Sequence, residues 1–222
     1  MLQGLSNILA ALKDLALPYA CAACGAPSNE AQPFCAACLE QVRLVSAQQP
    51  GSTARALAEY SGPLGEALRG FKYNRRLPAG AALAKWLAGQ TPEAWLAGAD
   101  VVCPVPLHPR RLLTRGFNQA VVLFRPLAEM HGLELEPRLL LRLRHTRPQT
   151  GLKPAERRRN VAGAFGLRRP EAVRGRQVLL VDDVLTTGAT AAECVRVLQE
   201  AGAAGVSVLT LAKTKTAARA AA

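Results

Sequence analysis

Acidic residues are scarce in this sequence. Against 28 Lys and Arg stand only 16 Asp and Glu, a formal net charge of +12 over 222 residues. That imbalance points to polyanionic partners: nucleic acid, a phosphorylated small molecule or an anionic membrane surface. Long apolar runs are also missing. None approaches the ~18 residues that a spanning helix needs, so no membrane span is expected. There is no G-x-x-x-x-G-K-[ST] loop, which excludes a P-loop NTPase. After Asp183 no further Asp occurs, so a receiver domain would lack the phosphoacceptor it needs one strand later. Aromatics make up 5% of the chain, few for a stacking platform on single-stranded nucleic acid. The opening MLQGLSNILAALKDLALPYAC lacks the basic start of a secretory signal, and Lys13 and Asp14 interrupt its apolar part. An amphipathic helix in a cytoplasmic chain is the expectation.

Half of the residues are hydrophobic, enough for one good core and a small accessory module. Four of the six cysteines fall in CAACGAPSNEAQPFCAAC: Cys21, Cys24, Cys35 and Cys38. Two C-x-x-C pairs ten residues apart suit a tetrahedral thiolate site, each knuckle offering two sulfurs to one ion. Gly25 stands where such a knuckle commonly needs a backbone free of a Cβ clash. Two disulfides or four unliganded thiols are the competing readings, and a disulfide framework does not suit an intracellular chain of this size. The segment holds few large apolar residues to fold around, so the reading is a structural Zn²⁺ in a module over residues 1–47. Cys103 and Cys194 stand alone in apolar surroundings and are expected in the core.

A polar linker, QQPGST at 48–53, leads into a larger unit, with the boundary set at residues 48–222. A short strand is expected to end at Tyr60. One helix then starts near Pro63 and a second spans about Pro78 to Ala88, with proline in the first turn of each. ADVVCPVPLHP reads as a buried strand with a proline-rich exit. NQAVVLFRPLAEMHG reads as a helix that Pro126 kinks or breaks. RLLLRLR (138–144) alternates partly and reads as a strand. Strands over QVLLV (177–181) and VSVLTLAK (206–213) flank a helix over Thr190–Ala201, and the Ala-rich end reads as a frayed tail. Strands alternating with helices predict an α/β fold, a mostly parallel sheet covered on both faces, with the small N-terminal zinc-binding module beside it.

The stretch VLLVDDVLTTGAT (178–190) carries the chemistry. Four apolar residues run into two adjacent carboxylates, Asp182 and Asp183. With the strand taken to end at Val181, the pair lies at the carboxyl end of the sheet, where open α/β folds bind ligands. The turn Thr186–Thr190 then enters a helix, so its N–H groups and hydroxyls can surround a phosphate. Gly188 permits the close approach this requires. A polar strand-end turn with no ligand is the bland alternative, and it leaves two uncompensated carboxylates. A sugar phosphate fits both halves of the site.

This stretch resembles the phosphoribosyl-pyrophosphate (PRPP) motif of type I phosphoribosyltransferases. With CAAC…CAAC, LRGFKY, PVPLHPRRLLTRGFNQA and RPQTGLKPAERRRNVAGAF preceding it, the sequence resembles the ComF family of competence-associated, phosphoribosyltransferase-like proteins. The resemblance spans nearly the whole chain. It implies that Asp182 and Asp183 bind the ribose hydroxyls of PRPP or ribose 5-phosphate, with Mg²⁺ bridging ribose and pyrophosphate. Thr186, Thr187, Gly188, Ala189 and Thr190 would hold the 5′-phosphate. Arg115, Gly116 and Asn118 in TRGFNQ would face the pyrophosphate, and His145–Phe165 would form a mobile lid. Asp182, Asp183 and Arg115 are the implied catalytic residues; Arg115 and a mobile Arg such as Arg157 would neutralise the leaving group. Lys72 either approaches the ligand or ends a solvated helix.

The sequence departs from purine-salvage relatives at Thr186, where those proteins carry an Asp that serves the acceptor base. A Thr cannot act as a base near neutral pH, so a purine acceptor handled in that way is not expected. Between Val105 and Arg176, 16 Lys and Arg stand against 5 Asp and Glu, more than PRPP alone requires. The resemblance links the family to DNA uptake. The second reading is therefore a non-catalytic module that binds single-stranded DNA or DNA-uptake proteins and uses the PRPP site for regulation.

Overall fold

The computed structural model describes residues 20–28, 32–45, 53–147 and 152–215. The expected amphipathic helix at the start, all but the last residue of the linker, and the Ala-rich tail beyond residue 215 lie outside the described residues.

The second cysteine pair opens a single helical turn, α1 (Ala36–Leu39). β1 (Ala54–Glu59) follows, then α2 (Gly62–Asn74). Leu64, Ala67, Leu68 and Phe71 recur along α2 at helical spacing, and all are buried, which is what turns that face inward. α3 (Leu77–Gln90) again has proline in its first turn. β2 (Val101–Pro104), α4 (Pro109–Arg115), α5 (Gln119–Met130) and β3 (Glu134–Leu135) come next. Pro126 does not break α5. It removes one N–H from the helix, but Leu123, Phe124 and Leu127 are fully buried on either side and hold the helix to the core.

β4 (Leu140–Arg142), α6 (Pro154–Val161) and β5 (Phe165–Leu167) follow. The strand expected in RLLLRLR is therefore present, but it pairs antiparallel with β5 in a separate two-stranded sheet. α6 lies inside the expected lid. Its sequence PAERRRNV has no apolar stripe, so periodicity gives no sign of it. Its first turn is held by Glu156, whose carboxylate accepts from the Lys153 N–H at 2.7 Å.

β6 (Gln177–Leu185), α7 (Ala189–Glu200) and β7 (Gly205–Lys213) complete the chain. The five main strands are all parallel, in the order β1-β7-β6-β2-β3. Alternate residues of β6 feed two cores. Leu179 and Val181 pack with α2, α3 and α5, whereas Val178 and Leu180 pack with α7 and the β4–β5 pair. A sheet covered on both faces explains why its strands are apolar without alternation. Cys103 and Cys194 sit in the second core, fully buried. Among the described residues no helix is long and apolar enough to cross a membrane.

The cysteine segment shares the first core. Phe34 is 2% exposed and meets the Trp86 ring edge-on at 5.8 Å. Past α1 the chain runs antiparallel beside β1: Val45 N–H donates to Leu57 O at 2.9 Å and Glu59 N–H to Arg43 O at 2.8 Å.

One contact joins α2 and α3 to the turn after α4. The Phe71 ring stacks on Phe117 at 4.9 Å, and Gly80 of α3 lies so close that an added Cβ would overlap the Phe71 ring. Gly80→Ala should therefore destabilise the fold by about 1–3 kcal/mol, the usual cost of overpacking. Urea denaturation should show a lower midpoint at constant slope; an unchanged midpoint would mean that the ring moves aside freely.

Candidate active site

The crevice arises because β6 outruns one neighbour. β2 pairs with β6 only as far as Pro104 opposite Val181, and Val105 N–H then donates to Val181 O at 2.9 Å. Pro104 and Pro106 have no N–H to extend that ladder. On its other side β6 stays paired with β7 to Leu185 opposite Lys213. The strand does not end at Val181 as expected: Asp182 and Asp183 are strand residues, bound to β7 on one edge and open on the other. A cavity of about 440 Å³ occupies the open side, at the carboxyl ends of the strands.

Strand geometry resolves the paired like charges. Successive side chains leave opposite faces of a strand. Asp183 continues the Leu179–Val181 face and meets α2 and α5. Its Oδ2 accepts from Lys72 Nζ at 2.7 Å and from Gln119 Nε2 at 3.0 Å, and the residue is 5% exposed. Burial alone would lower the Lys72 ammonium, but the charge and hydrogen bond of Asp183, then Asp182, hold it above its ordinary value. Lys72 is thus not a solvated helix end: it lines the cavity with its ammonium paired to Asp183. Asp182 is only partly covered. Its Oδ1 accepts from the Asp183 N–H at 2.8 Å, and among the described residues no salt bridge reaches it. Burial, reinforced by the charge of Asp183, pushes its carboxyl up to about 7.

Past Leu185 the chain turns into α7. Gly188 holds a left-handed conformation at φ 74° as the N-cap, a position that favours glycine. Thr186, Gly188, Ala189 and Thr190 line the cavity. Thr187 does not, and its Oγ1 is buried without a hydrogen-bond partner among the described residues. The N-terminus of α7, with its partial positive charge, lies at the same turn.

Cations line the cavity elsewhere: Arg111 and Arg115 of α4, Arg142 of β4 and Arg157 of α6. The Arg115 guanidinium lies 5.5 Å from the Tyr73 ring centre. Gly116, at φ 87°, ends α4 and shapes the turn without lining the cavity. Asn118 lines it, but its amide is engaged locally. Oδ1 accepts from Ala120 N–H at 3.0 Å as the cap of α5, and Nδ2 donates to Val105 O at 3.0 Å. Sequence reasoning missed Arg111, Gln119, Arg142 and Tyr73. Arg111 and Gln119 lie inside PVPLHPRRLLTRGFNQA, whereas Arg142 carried no signal beyond its place in a partly alternating strand.

A candidate metal centre lies apart from the cavity. The Sγ atoms of Cys21, Cys24, Cys35 and Cys38 all lie within 4.8 Å of one another, and Cys24 and Cys35 are 3.8 Å apart. Sulfurs at ~2.3 Å from a tetrahedral ion stand ~3.8 Å from each other, so the donor set fits one metal ion. Gly25 has φ 78° at the first knuckle, where its N–H donates to Cys21 O at 2.9 Å. Burial raises the Cys21 thiol, but backbone N–H groups of Cys24, Cys35 and Ala23 outweigh it and hold the group down to about 6.

Known proteins resemble this chain along most of its length. The phosphoribosyl transferase domain family matches residues 125–221. The DNA utilization protein YhgH of Salmonella typhi is 35% identical over 198 residues, 87% of this chain and 84% of that one. Competence protein F of Haemophilus influenzae is 30% identical over 201 residues, 88% of this chain and 85% of that one. Among solved structures, the glutamine PRPP amidotransferase from B. subtilis complexed with ADP and GMP matches at 26% identity and a TM-score of 0.40. That match covers 59% of this chain and 25% of that one. With relatives this similar along most of its length, the chain belongs to the ComF family of competence-associated, phosphoribosyltransferase-like proteins.

Proposed function

We propose that the cavity binds PRPP and that the protein is a type I phosphoribosyltransferase or a PRPP-responsive protein built on that scaffold. One observation carries the reading. The cavity at the open edge of β6 brings together the partly exposed Asp182 carboxylate, the turn into α7 and four arginines. A ligand that carries both hydroxyls and phosphates suits that lining. Asp182 would accept from the ribose hydroxyls, the Thr186–Thr190 turn would hold the 5′-phosphate, and Arg115 and Arg157 would neutralise the departing pyrophosphate. Holding both phosphate ends places C1′ for attack as it gains oxocarbenium character. Lys72 would serve by holding the Asp183 carboxylate in place.

Asp182 fits Mg²⁺, since it is a hard oxygen donor with no salt bridge among the described residues. When bound there, Mg²⁺ would neutralise charge between ribose and pyrophosphate. The cysteine cluster fits Zn²⁺ in a structural role, because all four positions are filled by protein sulfur.

DNA contact is the second reading, favoured by two observations. Two of the relatives are named for DNA utilization and competence, and Arg110, Arg144, Arg147, Arg158 and Arg159 are exposed beyond the cavity. These arginines would supply a sequence-independent backbone contact for single-stranded DNA in a cytoplasmic step of its uptake.

Thermal melts test the PRPP reading. PRPP with Mg²⁺ should raise the melting temperature by mass action on the native state, and Asp182→Asn should abolish the Mg²⁺-dependent part. A ligand-free pH series has a definite sign. The Asp182 carboxyl titrates from 3.8 in the unfolded chain up to about 7 in the fold, so the unfolded chain loses the proton first. Stability is therefore lost between about pH 4 and 7, and no further above it. Asp182→Asn should melt higher than the wild type at pH 8 and converge with it near pH 4. No shift with millimolar PRPP and Mg²⁺ would refute the ligand assignment.

Metal analysis should give about one Zn²⁺ per chain, and Cys24→Ser should release it. Because Phe34 and Trp86 share the first core, the melting temperature of the whole chain should then fall. Full zinc retention in the variant would sink the assignment.

Affinity for an oligo-dT probe should fall steeply with salt, and neutralising Arg158 and Arg159 together should reduce the slope by about 1–2 on a log–log scale. A salt-independent interaction, or none at low salt, removes DNA from the direct partners.

A further inference from the structure

Arg75 is the one non-glycine residue at positive φ among the described residues, with φ 51° and ψ 34° as the C-cap of α2. The other left-handed positions there are glycines, Gly116 and Gly188 among them. A Cβ is disfavoured in that conformation, so stability alone would place glycine at the cap. Such an outlier points to a task for the side chain. The Arg75 side chain leaves its own helix: Nη2 donates to the carbonyl of Thr114 at 2.6 Å, 39 residues on.

Thr114 precedes Arg115 in the last turn of α4, where carbonyls have no partner within the helix. α4 depends on outside contacts of this kind, because none of its residues is buried and no core packing sets its position. From within, its end is held by Thr114 Oγ1, which donates to Arg111 O at 3.1 Å, and by Gly116 N–H, which donates to Leu112 O at 2.7 Å. The same end of α2 supplies a second contact. Tyr73 is 70% exposed, and the Arg115 guanidinium lies 5.5 Å from its ring centre. Among the described residues no salt bridge reaches Arg115, so no acid competes with the ring for its direction. Tyr73 and Arg115 line the cavity, whereas Arg75 stands behind them. Two neighbouring side chains of α2 thus hold two consecutive residues of α4, one by its backbone and one by its charge.

We propose that Arg75 and Tyr73 are positioning residues for Arg115: Arg75 fixes the backbone of the α4 turn, and Tyr73 fixes the direction of the guanidinium. The inference rests on the PRPP reading, in which Arg115 meets the pyrophosphate. Arg75 touches no ligand and acts only through Arg115. A long arginine side chain loses rotamer freedom when it is fixed on a ligand, and holding it beforehand reduces that cost. One short stretch of α2 and its cap then serves both sides of the cavity. Lys72 pairs with Asp183 of β6, while Tyr73 and Arg75 set the end of α4.

A double-mutant cycle provides the test, with PRPP and ribose 5-phosphate titrated calorimetrically in the presence of Mg²⁺. Arg75→Gly removes the contact to Thr114 while giving the left-handed position the residue it favours, so the ligand-free melting temperature should stay close to that of the wild type. PRPP should bind about tenfold more weakly, the order of one charge-assisted hydrogen bond. Ribose 5-phosphate, which lacks the pyrophosphate, should change by less than about twofold. In an Arg115→Ala background the same substitution should cost nothing further, because its effect runs through Arg115. Tyr73→Phe keeps the ring and should match the wild type, whereas Tyr73→Leu should lose about threefold for PRPP alone. An equal loss in both backgrounds would make Arg75 independent of Arg115 and overturn the proposal. Wild-type PRPP affinity in Arg75→Gly would overturn it too, as would a parallel loss of both ligands with a lower melting temperature, the mark of a purely structural arginine. Arg75→Asn, which also tolerates left-handed backbone, repeats the cycle if the glycine variant does not fold. Failure of the PRPP reading looks different: the wild type then binds no PRPP, or Arg115→Ala binds it unchanged, and the positioning role falls with it.

Discussion

β6 is bound along its full length on one edge and released early on the other, and the site depends on that asymmetry. β7 fixes Asp182 opposite Thr210 and Leu185 opposite Lys213, so the backbone that carries the carboxylates is as rigid as the sheet centre. On the other edge β2 stops at Pro104. A full-length partner there would fill the crevice with backbone, whereas a β6 free on both edges would leave its acids on a loop. The proline pair in CPVP is therefore as much a part of the site as any charged residue, although it touches the ligand space only through Val105 and Pro106.

Rigid placement makes the two charges separable. Because β6 keeps its pleat through residue 183, the acids point to opposite faces and reach different surroundings. Asp183 is neutralised by Lys72 and braced by Gln119. The buried ion pair so formed fixes a carboxylate that also lines the cavity, and its worth lies in placement more than in net stability. Asp182 has no salt-bridge partner among the described residues and resists ionisation. Neighbouring carboxylates thus acquire unequal environments without any difference in local sequence.

Much of the sheet was legible because each strand carries a short apolar run bounded by Gly, Pro or charge, and α2 shows an unbroken helical stripe. The elements that periodicity missed are short or polar: α4, the almost wholly polar α6, the three-residue β5 and the two-residue β3. The end of β6 was misplaced for another reason. Two Asp look like a strand terminus, and only β7, more than twenty residues away in sequence, supplies the pairing that carries the strand past them. At the site, the acid pair and the Thr-Thr-Gly-Ala-Thr turn were legible as local motifs. Lys72, Gln119 and Arg111 were not, since each gains its meaning from a partner at least 35 residues away.

Those long-range partners tie the cysteine segment to the chemistry. Phe34 packs on Trp86 of α3, Gly80 of the same helix receives the Phe71 ring, and Phe71 precedes Lys72. Phe71 also stacks on Phe117, two residues before Gln119. Both donors to Asp183 are thus set by one aromatic contact, and that contact rests on a helix whose other end bears the cysteine segment. A metal ion holding Cys21, Cys24, Cys35 and Cys38 together would stabilise Phe34 directly and the Asp183 environment through α3. The coupling is one of packing, so it should weaken with each intervening contact. On this structure the sulfur cluster stands three side-chain contacts from the carboxylate pair, close enough for its loss to be felt there as looser placement of Lys72.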